Sequence, residues 1–238
     1  EANAAGIDVI ITDHHRVPAV LPDALAIVNP HRPDATYPER RLAGSGVAFT
    51  VARLLLGDAA LAFADLAAIG TVADLAPVLG ENRAIVRLGL ELLRSEPRPG
   101  LAALFAAARL DPASVDLETL AFTVAPRLNA AGRVGEAFDA ARLLLADDPE
   151  EASNLAAVLD AANVTRRDLL RTAIAEARTS PDAVDDAAAT IVRGAWPVGI
   201  VGLVASRLAD ERRPPAIVGA ELGEIVRASC RSGGELYL

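Results

Sequence analysis

The sequence contains no lysine and no methionine, one cysteine, three histidines and 3% aromatic residues. A single cysteine, Cys230, excludes a disulfide within the chain and a zinc site built from several cysteines. All 23 basic residues are arginines, and the formal net charge is -9. Because phosphate neutralisation drives nucleic-acid binding, this charge argues against a general basic coat for nucleic acid. It still allows a local arginine pocket for phosphate.

The chain has 238 residues, of which 52% are hydrophobic and 23% are charged. This composition argues against disorder, and the length suits one large domain or two modest ones. No signal peptide is visible, and no charge-free apolar run reaches about 18 residues, so we expect a cytoplasmic protein with no membrane partner. Both ends read as interrupted elements, and we therefore expect a piece of a longer protein.

The apolar runs at residues 7–12 and 25–29 predict short parallel strands that are buried in a sheet. Helical patterns dominate from residue 44 to about residue 175. Pro149, followed by Glu150 and Glu151, predicts the start of a long helix. Beyond the "SPDAVDDAA" stretch the pattern returns to strands around one apolar helix, which indicates a small α/β or α+β unit.

The first candidate site is Asp13-His14-His15, directly after the first predicted strand. Ligands bind at the carboxyl ends of parallel strands in open α/β sheets. Imidazole nitrogens bind Mn²⁺ or Zn²⁺, and a neighbouring carboxylate can orient an imidazole or bind the metal itself. The alternative is a polar turn in which Asp13 caps the next helix.

The second candidate is Asp74 in "GTVADLAP", residues 70–77, which is surrounded in sequence by apolar residues. A carboxylate buried there would be costly unless it were paired or bound to a metal. The alternative is a helix cap at a turn.

Two arginine-bearing stretches form the third candidate. "APRLNAAGR" at residues 125–133 places two arginines and an asparagine among small residues, and guanidinium groups bind phosphate through paired donors. "RASCRSGG" at residues 227–234 reads as a loop in which hydroxyls, backbone N–H groups and arginines could hold a phosphate. The alternatives are a surface turn with solvated arginines and a plain Ser/Gly hairpin.

Taken together and in order, these stretches resemble the DHH phosphoesterase superfamily and, within it, the RecJ family of single-strand-specific DNA exonucleases. The pairing of "GTVAD" with "PRLNAAGR" is much more specific than the DHH triplet alone. The matching segments are "ITDHH" at 11–15, "VNPHRPDATYP" at 28–38, "LAGSGVAF" at 42–49, "AIGTVADLAPVLGENR" at 68–83, "APRLNAAGR" at 125–133, "GIVGLVASRL" at 199–208 and "ASCRSGG" at 228–234.

The resemblance implies an α/β fold in which a long helix joins two domains, with nucleic acid held between them. A parallel-sheet DHH domain would occupy residues 1–148 and would be incomplete at its N-terminus. The connecting helix would span 149–180. A smaller α/β DHH-associated, nucleic-acid-binding domain would occupy 181–238 and would be incomplete at its C-terminus.

The resemblance also implies roles for individual residues. His14 and Asp74 would be direct ligands of a two-metal Mn²⁺ or Mg²⁺ site, and Asp13 would support that site as a further ligand or orienting group. His15 would lie against the scissile phosphate or a second metal. The residues that would face the DNA are Arg127, Asn129, Arg133, Ser229, Arg231 and Ser232.

The implied function is a single-stranded-DNA-specific 5′-to-3′ exonuclease of DNA repair and recombination that hydrolyses phosphodiesters with two metal ions and releases 5′-mononucleotides. The implied partners are single-stranded DNA and repair or replication proteins, and the expected state is a monomer. Two alternatives stay open: a phosphodiesterase of short oligonucleotides or cyclic dinucleotides, and a catalytically inactive scaffold of the same family.

Two departures from the family pattern qualify these expectations. The family's upstream "DxDG" motif and a second acidic motif are absent from these residues, so we expect little activity from the isolated 238 residues. Many relatives also have a histidine where this sequence has Pro197.

Overall fold

The computed structural model describes residues 1–180, 188–212 and 215–232. The chain forms two compact units, Glu1–Ala125 and Pro126–Leu238. Each unit combines helices with a small sheet of its own. The predicted α/β class is therefore confirmed.

The sheet of the first unit contains two parallel strands, β1 (Ile10–Thr12) and β2 (Ala26–Val28). Both strands are shorter than the apolar runs that predicted them, and their predicted burial is wrong. The first and last residues of each strand are exposed, because the sheet in the described residues has only these two strands. The backbone N–H of Asp13 donates to the carbonyl of Val28 at 3.0 Å, so pairing continues one residue past β1. The DHH triplet therefore begins at the carboxyl end of a parallel strand.

The helices of the first unit follow the sheet. Gly57, with a φ of +61°, ends the first of them, and a 3₁₀ segment, Gly57–Phe63, separates it from the next. The last short helix continues into a π-helical turn, Leu120–Val124. The helices are α1 (Gly44–Leu56), α2 (Ala64–Ala73), α3 (Gly80–Ser95), α4 (Pro99–Ala107) and α5 (Leu117–Thr119).

The stretch Gly44–Ala73 is, within the described residues, long and apolar enough to cross a membrane by length and composition. It is interrupted by the 3₁₀ segment between α1 and α2. Its residues Val47, Ala64 and Ala67 lie in the core of the first unit with Ile85 of α3. Length and composition alone therefore do not make it a membrane span.

The second unit contains a three-stranded sheet in the order β3-β4-β5. β3 and β4 are parallel, whereas β4 and β5 are antiparallel. Its strands are β3 (Thr190–Gly194), β4 (Ala216–Leu222) and β5 (Ile225–Arg231), and its helices are α6 (Ala125–Val134), α7 (Ala137–Leu145), α8 (Pro149–Thr179) and α9 (Val198–Arg212).

The long helix α8 begins at Pro149, as the sequence predicts. The side chain of Asp148 caps it by accepting a hydrogen bond from the Glu151 N–H at 2.8 Å. The C-terminal part of α8 packs through Ala173 and Ala177 into a core formed with α9 and the sheet. The assignment of 149–180 as a connecting helix between domains stays a prediction.

The expected loop at "RASCRSGG" is wrong over residues 227–231, because these residues belong to β5. They pair with β4 in a register that places Arg227 opposite Ala220, Ser229 opposite Val218 and Arg231 opposite Ala216. Gly233 and Gly234, the glycines of the expected phosphate loop, lie outside the described residues.

Candidate functional site

The carboxylate of Asp13 organises the DHH triplet. Its Oδ1 atom accepts hydrogen bonds from the backbone N–H of His14 at 2.7 Å and of His15 at 3.2 Å, and it lies 2.8 Å from the Nδ1 of His15. The bond to the His15 ring is the largest of several effects that lower the pKa of Asp13 to about 2. Asp13 is therefore ionised near neutral pH and fixes the orientation of His15.

His14 meets Asp74 from a distant part of the chain. The Nδ1 of His14 lies 3.5 Å from the Oδ2 of Asp74, which is the C-cap residue of α2. This separation is long for a direct hydrogen bond. The His14 side chain is 20% exposed, but that of Asp74 is 46% exposed. Asp74 therefore lies at a helix end, as the alternative interpretation of "GTVADLAP" describes, and its exposed carboxylate lies beside His14.

These residues fit a divalent cation. Asp13, His14 and His15 each offer one ligand atom, and these atoms lie within 4.8 Å of one another. Asp74 adds a second carboxylate beside His14. Mixed imidazole and carboxylate donors suit Mn²⁺, and carboxylates also suit Mg²⁺. His14, Asp74 and Asp13 would hold the ion, while the ring of His15 is 77% exposed and accessible to a substrate.

Two further residues, Asn29 and Gly44, contact the histidines of this site, and the sequence alone assigns neither of them a role. Asn29 is buried; its Nδ2 donates to the carbonyl of His15 at 2.9 Å, and its Oδ1 accepts from the His31 N–H at 2.8 Å. A Cβ at Gly44 would lie 3.3 Å from the Cδ2 of His14. Asn29 and Gly44 belong to the quoted motifs "VNPHRPD" and "LAGSGVAF", but only the structure shows what they touch.

The motif "PRLNAAGR" forms most of helix α6 in the second unit. Helical spacing puts Asn129 and Arg133 on the same face, because residues four apart are neighbours. Arg127 points elsewhere. Its Nε donates to the Oδ1 of Asp160 on α8 at 2.9 Å, and only 13% of its side chain is exposed.

Strand spacing aligns the second arginine-bearing motif. Arg227, Ser229 and Arg231 alternate along β5 and therefore share one face of the sheet. That face meets α9, because a Cβ at Gly202 would lie 3.3 Å from the Oγ of Ser229 and 3.4 Å from the Nη2 of Arg231. The strand aligns these donors more regularly than the expected loop would.

A cavity of about 500 Å³ lies between α6, the N-terminal turns of α9, and β5. The Nη1 of Arg133 donates to the carbonyl of Gly199 at 3.0 Å, which fixes the guanidinium at the cavity wall. Polar donors and exposed backbone at a helix N-terminus suit a phosphate group. The lining residues are Asn129, Gly132, Arg133, Val198, Gly199, Val201, Gly202, Arg227, Ala228 and Ser229.

The structure therefore brings the predicted residues together in two groups, one in each unit. Asp13, His14, His15 and Asp74 meet in the first unit. In the second unit, Asn129, Arg133 and Ser229 line the cavity, and Arg231 lies beside it. Ser232 is half-buried just after β5, and Arg127 is paired with Asp160 away from the cavity lining. The roles of these residues stay predictions.

Comparison with known proteins gives a consistent picture. Residues 1–71 match the DHH family, N-terminal domain. The single-stranded-DNA-specific exonuclease RecJ of Bacillus subtilis is 45% identical over 219 residues, which cover 91% of this chain and 28% of that protein. The chain spans less than half the length of the curated relatives that it matches.

Solved structures agree with the sequence relatives. A crystal structure of exonuclease RecJ bound to manganese is 34% identical with a TM-score of 0.82, and the match covers 98% of this chain and 59% of that one. RecJ from Thermus thermophilus, in complex with Mn²⁺, is 36% identical with a TM-score of 0.78, covering 91% of this chain and 33% of that one. The same protein was also solved with Mg²⁺, with a TM-score of 0.76.

Proposed function

We propose that this chain, which carries a DHH family N-terminal domain and is homologous to RecJ over most of its length, is the core of a metal-dependent, single-stranded-DNA-specific exonuclease. The observation that carries the proposal is the approach of His14 and Asp74 beside the Asp13-His15 pair. Four residues from two distant segments supply a mixed set of imidazole and carboxylate ligands. A polar turn that only capped a helix would not need Asp74.

In this proposal His14, Asp74 and Asp13 would hold Mn²⁺ or Mg²⁺, which would supply Lewis-acid activation of water and neutralisation of charge on the phosphate. Asp13 keeps its carboxylate ionised and holds the Nδ1 of His15. The exposed ring of His15 can then present its Nε2 to a phosphate oxygen. Asn29 fixes the backbone of His15 through its carbonyl.

The second unit binds the strand. Arg133 and Arg227 supply positive charge at the cavity, and Asn129 and Ser229 supply uncharged donors for phosphate oxygens. Arg231 and Ser232 continue this surface along and beyond β5. This local concentration of donors lets an acidic chain bind a polyanion.

The proposed reaction is hydrolysis of single-stranded DNA in the 5′-to-3′ direction, with release of 5′-mononucleotides. The proposed setting is the cytoplasm, where a monomer acts with repair or replication proteins. Since the homologues carry the name of single-stranded-DNA-specific exonucleases, the substrate class is the part of this proposal that the comparisons support best.

Binding of labelled oligothymidylate, in single-stranded form and annealed to oligoadenylate, tests the proposal. We expect single strands to bind at least tenfold more tightly than duplex, and any Mn²⁺-dependent digestion to stop in Asp74→Asn. Equal affinity for duplex, or digestion that persists in Asp74→Asn or in EDTA, would contradict the proposal. A series of oligonucleotides from two to twenty nucleotides tests the alternative activity, because a phosphodiesterase of short oligonucleotides would prefer the shortest members.

A further inference from the structure

Arg166 on α8 is an incompletely paired cation. Its Nε atom has less than 1 Å² of accessible surface and meets no hydrogen-bond partner within the residues that the structure describes. Its Nη2 donates to the Oδ1 of Asn163, a neutral amide that is itself buried, at 2.8 Å. A half-buried guanidinium with one neutral partner is unfavourable, since desolvating a charge costs free energy unless an anion accompanies it.

The surroundings of Arg166 increase this cost. Burial and the positive charges of Arg133 and Arg167 together lower the pKa of Arg166. In the described parts of the chain no carboxylate lies within ion-pair distance of Arg166. Other arginines of α8 differ: Arg171 pairs with Asp168, and Arg178 pairs with Glu211.

Arg133 connects this cluster with the cavity. It lines the cavity between α6, α9 and β5, and its charge also acts on Arg166. An anion near these two guanidinium groups would relieve their mutual repulsion and supply the counter-charge that Arg166 lacks within the described residues. A phosphate oxygen suits this arrangement, because guanidinium groups bind phosphate with several donors at once.

We propose that Arg166, together with Arg133, binds a phosphate group of the nucleic-acid strand. This inference rests on the proposed function and extends the strand-binding surface from the cavity to helix α8. Asn163 acts as a positioning residue, since its amide oxygen holds the Nη2 of Arg166. The phosphate is either an internal phosphodiester or the 5′-terminal phosphate, and the experiment separates these two sources.

The test measures binding of fluorescent oligothymidylate in EDTA, which prevents turnover, over a series of salt concentrations. Arg166→Gln should weaken binding about tenfold and reduce the slope of log affinity against log salt by about 0.7, the value for one phosphate contact with a single strand. Arg171→Gln is the matched control, because it removes the same charge from an exposed pair on the same helix. Oligonucleotides with a 5′-hydroxyl and a 5′-phosphate complete the set. A defect confined to the phosphorylated strand assigns Arg166 to the terminal phosphate, whereas an equal defect assigns it to an internal one.

Unchanged affinity and salt slope in Arg166→Gln, or an equal loss in Arg171→Gln, would overturn the inference. If Arg166→Gln does not fold, Arg166→Lys is the variant to test. Because lysine keeps the positive charge, the slope of log affinity against log salt should not change. Because lysine lacks the guanidinium group, binding should weaken severalfold. A slope and affinity equal to those of the parent would overturn the inference in that case too.

A second measurement uses inorganic phosphate and does not depend on DNA. It should raise the melting temperature of the parent above that in chloride of equal ionic strength, and the increase should be lost in Arg166→Gln. Failure of the parent to bind any oligonucleotide would refute the proposed function, while an equal phosphate effect in parent and variant would refute the inference about Arg166.

Discussion

The Nδ1 of His14 and the Oδ2 of Asp74 lie 3.5 Å apart, at the carboxyl end of β1 and at the end of α2. At this distance the two groups do not form a good hydrogen bond with each other. Both atoms are therefore available to bind a cation. Taken one at a time, the two stretches are explained by a turn and by a helix cap, and the approach of His14 to Asp74 is what favours a metal centre.

Replacing Asp74 with Asn should weaken Mn²⁺ binding at least tenfold, because the proposed carboxylate ligand becomes a neutral amide of the same size. Isothermal titration calorimetry with MnCl₂ measures the change, and the melting temperature without metal should stay near that of the parent because Asp74 is exposed. Asp58→Asn, an exposed acidic residue in the same unit, is the control. Mn²⁺ affinity equal in Asp74→Asn and in the control would contradict the ligand assignment.

Gly44→Ala should disturb the same site from the other side. The added Cβ would lie 3.3 Å from the Cδ2 of His14, so the ring must shift by a few tenths of an ångström. We expect Mn²⁺ affinity to fall severalfold with little change in the far-ultraviolet circular dichroism spectrum. Gly135→Ala is a suitable control, since its Cβ would make an ordinary contact of 3.5 Å with the carbonyl of Ala131. An unaltered affinity in Gly44→Ala would show that His14 tolerates the shift.

Two glycines of α9 should respond differently to alanine. At Gly202 a Cβ would meet the flexible side chains of Ser229 and Arg231 at 3.3 and 3.4 Å, whereas at Gly199 it would lie 2.2 Å from the backbone carbonyl of Arg133. Gly202→Ala should therefore weaken oligothymidylate binding severalfold and leave stability almost unchanged. Gly199→Ala should lower the melting temperature, because backbone must move. Similar melting temperatures for the two variants would be inconsistent with this packing.

How much of the site the sequence predicts depends on how far apart along the chain the contacting residues are. Periodicity predicts that Asn129 and Arg133 share a helix face, and it predicts a strand before Asp13. It cannot predict the contact of His14 with Asp74 or of Arg127 with Asp160, because those depend on how separate elements pack. The mistaken loop at residues 227–231 has a local cause, since small polar residues such as Ser229 also occur in a strand that is held by pairing with β4.

A buried ion pair stabilises the first unit. The guanidinium of Arg98 donates to both carboxylate oxygens of Asp65 at 2.6 and 2.7 Å, and Asp65 is only 4% exposed. Asp65→Asn leaves the guanidinium of Arg98 without its counter-charge. We therefore expect the free energy of unfolding to fall by about 3 kcal/mol. Urea denaturation measures this change.

The double variant Asp65→Asn/Arg98→Gln provides the check on that ion pair. It should be more stable than Asp65→Asn alone, because no uncompensated charge remains. A double variant whose loss equals the sum of the two single losses would show that the two side chains act independently.

Glu211 predicts a dependence of stability on pH in the second unit. It accepts hydrogen bonds from Arg178 and Arg207, and these lower its pKa, with the bond from Arg178 as the largest cause. A carboxyl whose pKa is lower in the folded state stabilises the fold above its unfolded pKa of about 4.3, and this contribution is lost as the pH falls through the folded pKa. Glu211→Gln should therefore lower the melting temperature at pH 7 by about 2 °C.

The pH profile distinguishes this charge effect from a loss of packing. The gap in melting temperature between the parent and Glu211→Gln should stay constant from pH 7 to pH 5 and close at lower pH, where the parent also becomes neutral at this position. Glu91→Gln, which breaks an exposed pair with Arg87 at 3.8 Å, should show almost no gap at any pH. If the difference in melting temperature between the parent and Glu211→Gln stayed constant or widened on acidification, the lower stability of the variant would come from a loss of packing. Protonation of Glu211 in the parent would then not have the same effect as the substitution.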